Sequence, residues 1–255
     1  MVSVDESKLM RHRVPALLER LGIPKRVPLL VHSAFSGLSR QGWRAENFLL
    51  GLLEHQSGNT LLMPAMTWRA VNPQTPYFDA ASTPGITGIL AELFRQNHAT
   101  HRSVHPTHST TGWGRDVAGL LDGHVLDTAP CSSNSPFGRL IAADGWVLLV
   151  GAGFEVCTTI HCAENALEPD VYLLPTVETY QCRALDGTLH TVATRRHVRR
   201  QRDFNKFRPM MIERALRFSR LDVGGVEIIA LAAADLDGVV RQALNADAGA
   251  TLLPT

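Results

Sequence analysis

The residues best suited to chemistry in this 255-residue chain lie in the run Cys157-Thr158-Thr159-Ile160-His161-Cys162-Ala163-Glu164-Asn165. If the run opens a helix, side chains three and four apart share a face, so Thr158, His161, Glu164 and Asn165 stack together while Ile160, Ala163 and Leu167 turn toward packing. That face offers a hydroxyl, a base and an acid, the groups that proton transfer requires. The same residues also fit a plain helix start capped by Thr158 or Thr159, with a satisfied, partly buried histidine.

Three further stretches carry polar groups in suggestive order. His101, His105 and His108 fall within eight residues, and imidazole is the commonest transition-metal ligand. Pro106, however, biases His105 away from helical geometry, so the three cannot share a helical face. Polar loop contacts, with Arg102 near a phosphate or thioester ligand, are the competing use. Ser135 followed by Pro136 and Phe137 reads as an N-cap with proline at the first helical position, which leaves free N–H groups for an anion or carbonyl. His32-Ser33-Ala34-Phe35 is the end of a strand running into a small-residue loop, where backbone can approach a ligand closely. Gly151-Ala152-Gly153 lacks the third glycine of a dinucleotide fingerprint at Val156 and is set aside.

These residues need elements to position them. Pro28 to His32, Thr60 to Pro64 and Trp146 to Gly151 are short apolar runs that read as buried strands. Helical patterns cover Ala45 to Leu53, Thr87 to Gln96, Trp113 to Leu121 and Pro136 to Ala142, with Gly22 and Gly58 as stop signals for preceding helices. Strands alternating with helices predict an α/β layer structure. The second half differs. Thr176 to Cys182 and Thr188 to Thr194 flank Asp186-Gly187, a strong hairpin signal, and Gly224-Gly225 separates two further β-like runs. A helix from Asp203 to Phe218, interrupted or bent at Pro209, and a last helix from Ala233 to Ala246 close the chain. The expected fold class is α/β, with a central mixed sheet flanked by helices and an appended antiparallel β element. Residues 1–255 are expected to form a single domain.

Composition narrows the class. At 45% hydrophobic and 19% charged residues, disorder is excluded, because the chain holds enough apolar material for a large core. The longest uncharged apolar runs fall far short of the ~18 residues of a spanning helix. Asp5 and Glu6 stand where a signal peptide needs basic then apolar residues. A soluble, cytoplasmic protein is expected, with no membrane partner. Cys131, Cys157, Cys162 and Cys182 form no C-x-x-C pair and are expected to be reduced. The net charge of +1 is unevenly placed: Arg195 to Arg208 holds seven cations against Asp203, a net of +6, leaving −5 elsewhere. A general nucleic-acid binder is not distributed in this way.

Taken in order, the pieces resemble the aminoglycoside 3-N-acetyltransferase family. The resemblance rests on His32-Ser33-Ala34-Phe35, Asn59 to Pro64, Phe78-Asp79, Gly88-Ile89-Leu90 with Glu92 and Phe94-Arg95, Arg102-Ser103 with His105-Pro106, Ser135-Pro136, and Thr158 with His161 and Glu164. It runs from about residue 28 to 168, and Asp203-Phe204 and the closing helix look similar to the family's carboxyl-terminal region. Ala34 and Phe35 stand where the family often has a second serine and a smaller apolar residue. The resemblance implies an acetyl-CoA-dependent N-acetyltransferase with a fold distinct from the better-known acetyltransferases, acting on a primary amine of a small molecule, aminoglycoside-type or related, as in antibiotic resistance. It implies that His32, Ser33, Ala34, Phe35, Arg102, Ser103, His105, Ser135, Pro136 and Phe137 line the coenzyme A channel. It gives His161 the role of general base, with Asp203 as the orienting acid and Glu164 as the alternative. Thr158 or a nearby N–H would stabilise the oxyanion, Asp79 and Glu164 would receive the amine, and no metal is required.

Two other classes fit parts of the sequence. One is a metal-dependent hydrolase using His101, His105 or His108 with His161 and Glu164; the other is a non-catalytic coenzyme A binding protein. The Arg195–Arg208 segment also allows two readings. Either it is a solvated face, or it flanks the reacting centre and selects an amine acceptor that also carries an anionic group. The sequence carries no signal for oligomeric state.

Overall fold

The computed structural model describes residues 4–253, with side chains from residue 12 onward. Helix α1 (Val4–Arg20) leads into β1 (Leu29–Ser33), α2 (Ser36–Arg40), α3 (Ala45–His55), β2 (Thr60–Pro64) and β3 (Tyr77–Asp79). Then come α4 (Ile89–Asn97), β4 (His101–Arg102), β5 (Thr110–Gly114), α5 (Val117–Leu121), α6 (Pro136–Ala142) and β6 (Trp146–Val150). The second half holds α7 (Ile160–Leu167), α8 (Pro169–Tyr172), β7 (Leu173–Arg183), β8 (Leu189–His197), α9 (Phe207–Glu213), β9 (Phe218–Val223), β10 (Val226–Ala232) and α10 (Ala233–Ala246).

Seven strands form one sheet in the order β4-β5-β2-β1-β6-β10-β9. Its centre, β2-β1-β6, is parallel, and antiparallel pairs extend it on both sides. The central strands are the three apolar runs of the sequence, continuous because helices cover both faces. Alternation divides them cleanly. Leu30, Leu62, Val147 and Leu149 pack toward α6, α7 and α10, while Leu29, Val31, Leu61 and Leu148 pack toward α1, α3 and α4. β3, β7 and β8 form a second sheet with its own small core of Val71, Phe78, Tyr180, Cys182 and Val192.

The expected fold class is thus found, with corrections in detail. The appended sheet contains the Asp186-Gly187 hairpin, whereas the Gly224-Gly225 hairpin extends the main sheet through β10. Trp113 to Leu121 is not one helix. Trp113 pairs with Leu61 in β5, where backbone hydrogen bonds to β2 override the local helical pattern, and only Val117–Leu121 is helical. Asp203 to Phe218 reduces to α9. Pro209 is tolerated there because it lies in the first turn, where an N–H has no intrahelical acceptor. Phe218 begins β9 instead.

Candidate active site

β1 and β6 run parallel and end together at Ser33 and Val150, and the site lies beyond those carboxyl ends, as is usual for open α/β sheets. Gly151 makes this junction possible. It adopts φ +62°, and a Cβ there would stand 2.8 Å from the Ala34 carbonyl oxygen. The chain after β6 then turns through residues 152–159 into α7, which carries His161 and Glu164 on one face.

His161 Nδ1 donates to Glu164 Oε2 at 2.6 Å, which leaves Nε2 as the ring's free nitrogen. Glu164 is fully buried behind it and is held from three sides. Arg202 Nε lies 3.1 and 3.2 Å from its two oxygens, and the Thr251 hydroxyl donates to Oε1 at 2.5 Å while also bonding Tyr172 OH at 2.8 Å. Burial alone would raise the Glu164 pKa; His161, Arg202 and Thr251 outweigh it and hold the carboxyl below its usual range. The imidazole is clamped by rings as well: His197 lies 4.4 Å away between centroids and Phe204 5.3 Å away. Desolvation, then the neighbouring His161, pushes His197 well below an ordinary histidine, so it packs as a neutral ring. Asn165 holds that ring in place, its side-chain amide lying 3.1 Å (Nδ2) and 3.3 Å (Oδ1) from His197 Nε2.

Two cavities meet at His161 and share Trp68 and His108. The first, about 540 Å³, is walled by His32, Ser33 and Ala34 from the end of β1, by Thr87, Gly88 and Ala91 around the start of α4, and by Ala152, Val156 and Thr158. His32 is buried, neutral with a pKa pushed down to about 3 by desolvation, and its Nε2 has no hydrogen-bond partner. The second, about 640 Å³, is walled by Arg69, Asn72, Gln74, Arg196, His197, Arg199 and Arg202. Thr158 precedes α7 rather than lying on it, and its N–H has no backbone acceptor among the described residues.

The structure brings His32, Ser33, Ala34, Thr158, His161 and Glu164 together and places the other expected residues elsewhere. Asp203 makes no hydrogen bond or ion pair with His161; its backbone N–H bonds the Thr251 carbonyl, and Glu164 is the carboxylate on the imidazole. Being buried, Glu164 cannot also receive an amine. Asp79 caps its own turn, accepting from Ala81 N–H at 2.8 Å and Ser82 N–H at 3.2 Å, and lines neither cavity. Phe35 packs into the core against Phe48.

Arg102 is a buried peg. It donates to Ala80 O, Thr83 O, Ala65 O and the Ser109 hydroxyl through four of its five N–H groups, desolvation lowers its pKa to about 9, and it lines neither cavity at His161. Ser103 bonds His124, and His105 stacks on His124 with its Nδ1 accepting from the Thr107 and His108 N–H groups. Ser135 caps α6 as expected, accepting from Gly138 N–H at 3.1 Å, but it is buried with Pro136 and Phe137, and none of the three lines either cavity. His101 opens instead on a cleft near the β7–β8 turn. Among the described residues, no group of three or more His, Cys, Asp or Glu side chains is arranged to hold a metal.

Trp68, His197, Arg202 and Thr251 belong to the site without having been predicted as members. His197 and Arg202 lie in or beside the basic segment, so charge pointed near them. Thr251 had no signal, because its role exists only where the chain's end folds back on Glu164.

Residues 30–245 match the family described as aminoglycoside 3-N-acetyltransferase, and the chain belongs to that family. The SPbeta prophage-derived aminoglycoside N(3')-acetyltransferase-like protein YokD of Bacillus subtilis is 28% identical over 168 residues, 58% of this chain; the chain spans 61% of that relative's length. The crystal structure of aminoglycoside acetyltransferase AAC(3)-IVa, apoenzyme, superposes with a TM-score of 0.77 at 25% identity, covering 96% of this chain and 91% of that one. AAC-IIIb, solved as a binary complex with CoASH, shares the fold with a TM-score of 0.76 at 19% identity, over 96% of this chain and 98% of its own. Among the described residues, no helix is long and apolar enough to cross a membrane.

Proposed function

We propose that the protein is an acetyl-CoA-dependent N-acetyltransferase acting on a primary amine of a small molecule. The observation that carries this reading is the His161–Glu164 pair at the junction of two cavities, one for each substrate. The 540 Å³ cavity suits the coenzyme's acyl arm: small residues at the strand ends, with Met66, Ile86 and Val156, give it an apolar lining, Glu155 is its one carboxylate among the described residues, and the orphaned His32 Nε2 offers a polar contact. His32, Ser33, Ala34, Thr87, Gly88 and Ala152 would hold it. Acetyl-CoA supplies an electrophilic thioester carbon and a thiolate leaving group.

An amine attacks only with its lone pair free, so the chain must remove a proton as the N–C bond forms. His161 Nε2 takes that proton. Glu164 fixes the tautomer through Nδ1–H and stabilises the imidazolium, which then returns the proton to the departing sulfur as the C–S bond breaks. The Thr158 N–H and hydroxyl supply dipoles for the charge that develops on the carbonyl oxygen. The described chain works as one unit, since residues from β1 through Thr251 build the pair and its walls. Its four cysteines are free and buried, which suits a reducing cytoplasm.

Thiol release from acetyl-CoA in the presence of a panel of primary amines tests the reading. Turnover should depend on the amine and fall by roughly 10²–10⁴ in His161→Ala with acetyl-CoA binding retained. Amine-independent thiol release, or His161→Ala activity within tenfold of the parent, would refute it.

A further inference from the structure

The Arg195–Arg208 segment is largely neutralised by folding. Arg195 pairs with Asp170, Arg202 with Glu164 and Arg208 with Glu227, and Arg196 lies 3.9 Å from Glu178. Among the described residues Arg199, Arg200 and Lys206 keep no acid partner, and of these Arg199 lines the cavity beside His161, next to the paired Arg196 and Arg202. Arg196, Arg199 and Arg202 line the 640 Å³ cavity beside His161, joined by Arg69 from the loop after β2, and among the described residues no Asp or Glu side chain lines it. Arg69 and Arg199 are exposed and, among the described residues, form no ion pair with an acid. The Nη2 group of Arg202 is shielded from water and has no hydrogen-bond partner. His108 and His197 bring ring nitrogens but no charge, because desolvation and their neighbours, His161 among them, hold both well below an ordinary histidine.

A ligand with several ammonium groups would meet arginines here and no carboxylate to receive it. An anionic oxygen group would meet planar guanidinium forks whose geometry matches carboxylate and phosphate. We propose that this cavity holds the acceptor through a carboxylate or phosphate bound by Arg69 and Arg199, so that the amine acetylated is an anionic or zwitterionic one and not a polycation. The reacting end of that molecule rests on the acetyltransferase reading above; the anion site does not.

Two matched pairs test it on the full chain: aminohexanoate with its amide, and aminohexyl phosphate with aminohexanol, with kanamycin as the polycation. Affinity is read by calorimetry without acetyl-CoA, and kcat/KM by thiol release. The anionic member of at least one pair should bind and react about tenfold better at low salt, with the advantage shrinking at high salt as the charges are screened. The pair with the larger advantage separates carboxylate from phosphate. Replacing Arg69→Gln and Arg199→Gln together should bring the anionic-to-neutral ratio toward one. Equal affinity within both pairs, or kanamycin binding more tightly than either anion, would overturn the proposal. If no amine reacts but the calorimetric preference persists, the acetyltransferase reading fails and the anion site stands. If amines react with no preference in either readout, the reverse holds.

Discussion

On one side of His161 the cavity wall is built mainly from the ends of neighbouring strands and the turns that follow them; on the other it is mainly long side chains gathered from segments far apart in sequence. The β1 and β6 ends, the start of α4 and the Gly151 turn set the first wall. Gly88 shows how tight it is: φ is +103°, and a Cβ would sit 3.3 Å from the Ser33 carbonyl oxygen. The second wall combines the loop after β2, His108, the end of β8 and residues 198–202. A wall tied to the sheet cannot change shape without disturbing the core, whereas one made of loop side chains can change charge freely. On the proposed function, coenzyme recognition would fall to the rigid side and acceptor choice to the adaptable side.

The strongest way to break this comparison is to remove the carboxylate both cavities depend on. Glu164→Gln should lower kcat by roughly 10²–10³ with either substrate saturating. It should also cost about 3 kcal/mol of stability, since Arg202 is left buried against a neutral amide; steady-state kinetics and chemical denaturation measure the two effects. Ala152→Trp narrows only the sheet-side cavity. It should raise KM for acetyl-CoA about tenfold while leaving the KM of the amine within twofold, and a shift in both constants would show that the cavities are not separate.

Arg102→Ala sharpens the comparison from a third region. An arginine contacting coenzyme would raise KM for acetyl-CoA in a salt-dependent way; the buried peg seen here should instead lose about 2–4 kcal/mol of stability on truncation, with KM unchanged after correction for folded protein. Acid stability gives the smallest effect per group. His32, His55, His105, His108, His124 and His197 all have folded pKa values below the ordinary one, chiefly through burial. The unfolded chain therefore takes up more protons. Their contribution is complete above about pH 6.5 and is lost as pH falls below it, at up to about 1.4 kcal/mol per pH unit for each histidine. A denaturation midpoint that stayed flat from pH 7 down to about pH 5 would contradict this.

The three central strands, α6, α10 and both hairpins were legible in the sequence because each is specified locally, by a continuous apolar run, a Ser-Pro start, or an Asp-Gly or Gly-Gly turn. β5 was not. Thr110 to Gly114 becomes a strand only because β2 supplies its hydrogen bonds, and no local signal distinguishes it from the helix that follows. At the site, His161 and Glu164 are one helical turn apart, so their shared face was readable from spacing, while the choice between Glu164 and the favoured Asp203 as the acid on the imidazole was not. Asp203 could not be tested in that way, being forty-two residues on from His161.

What the sequence by itself determined is the local part: the strand ends that carry the small-residue loop, His161 and Glu164 three residues apart, and the concentration of arginines that follows the Asp186-Gly187 hairpin. What only the tertiary structure decided is which groups those residues face. Arg102 and His105, exposed by any polarity rule, are buried because their donors and acceptors meet backbone groups brought in from distant segments. Four arginines of the +6 segment lose their bare charge to acids from 18 to 38 residues away, while Arg199 keeps its own beside Arg69, 130 residues earlier. The physical reason is one of range. Helical periodicity and turn propensity act over a few residues, whereas charge pairing and desolvation depend on distance in space, which exists only once the chain has folded.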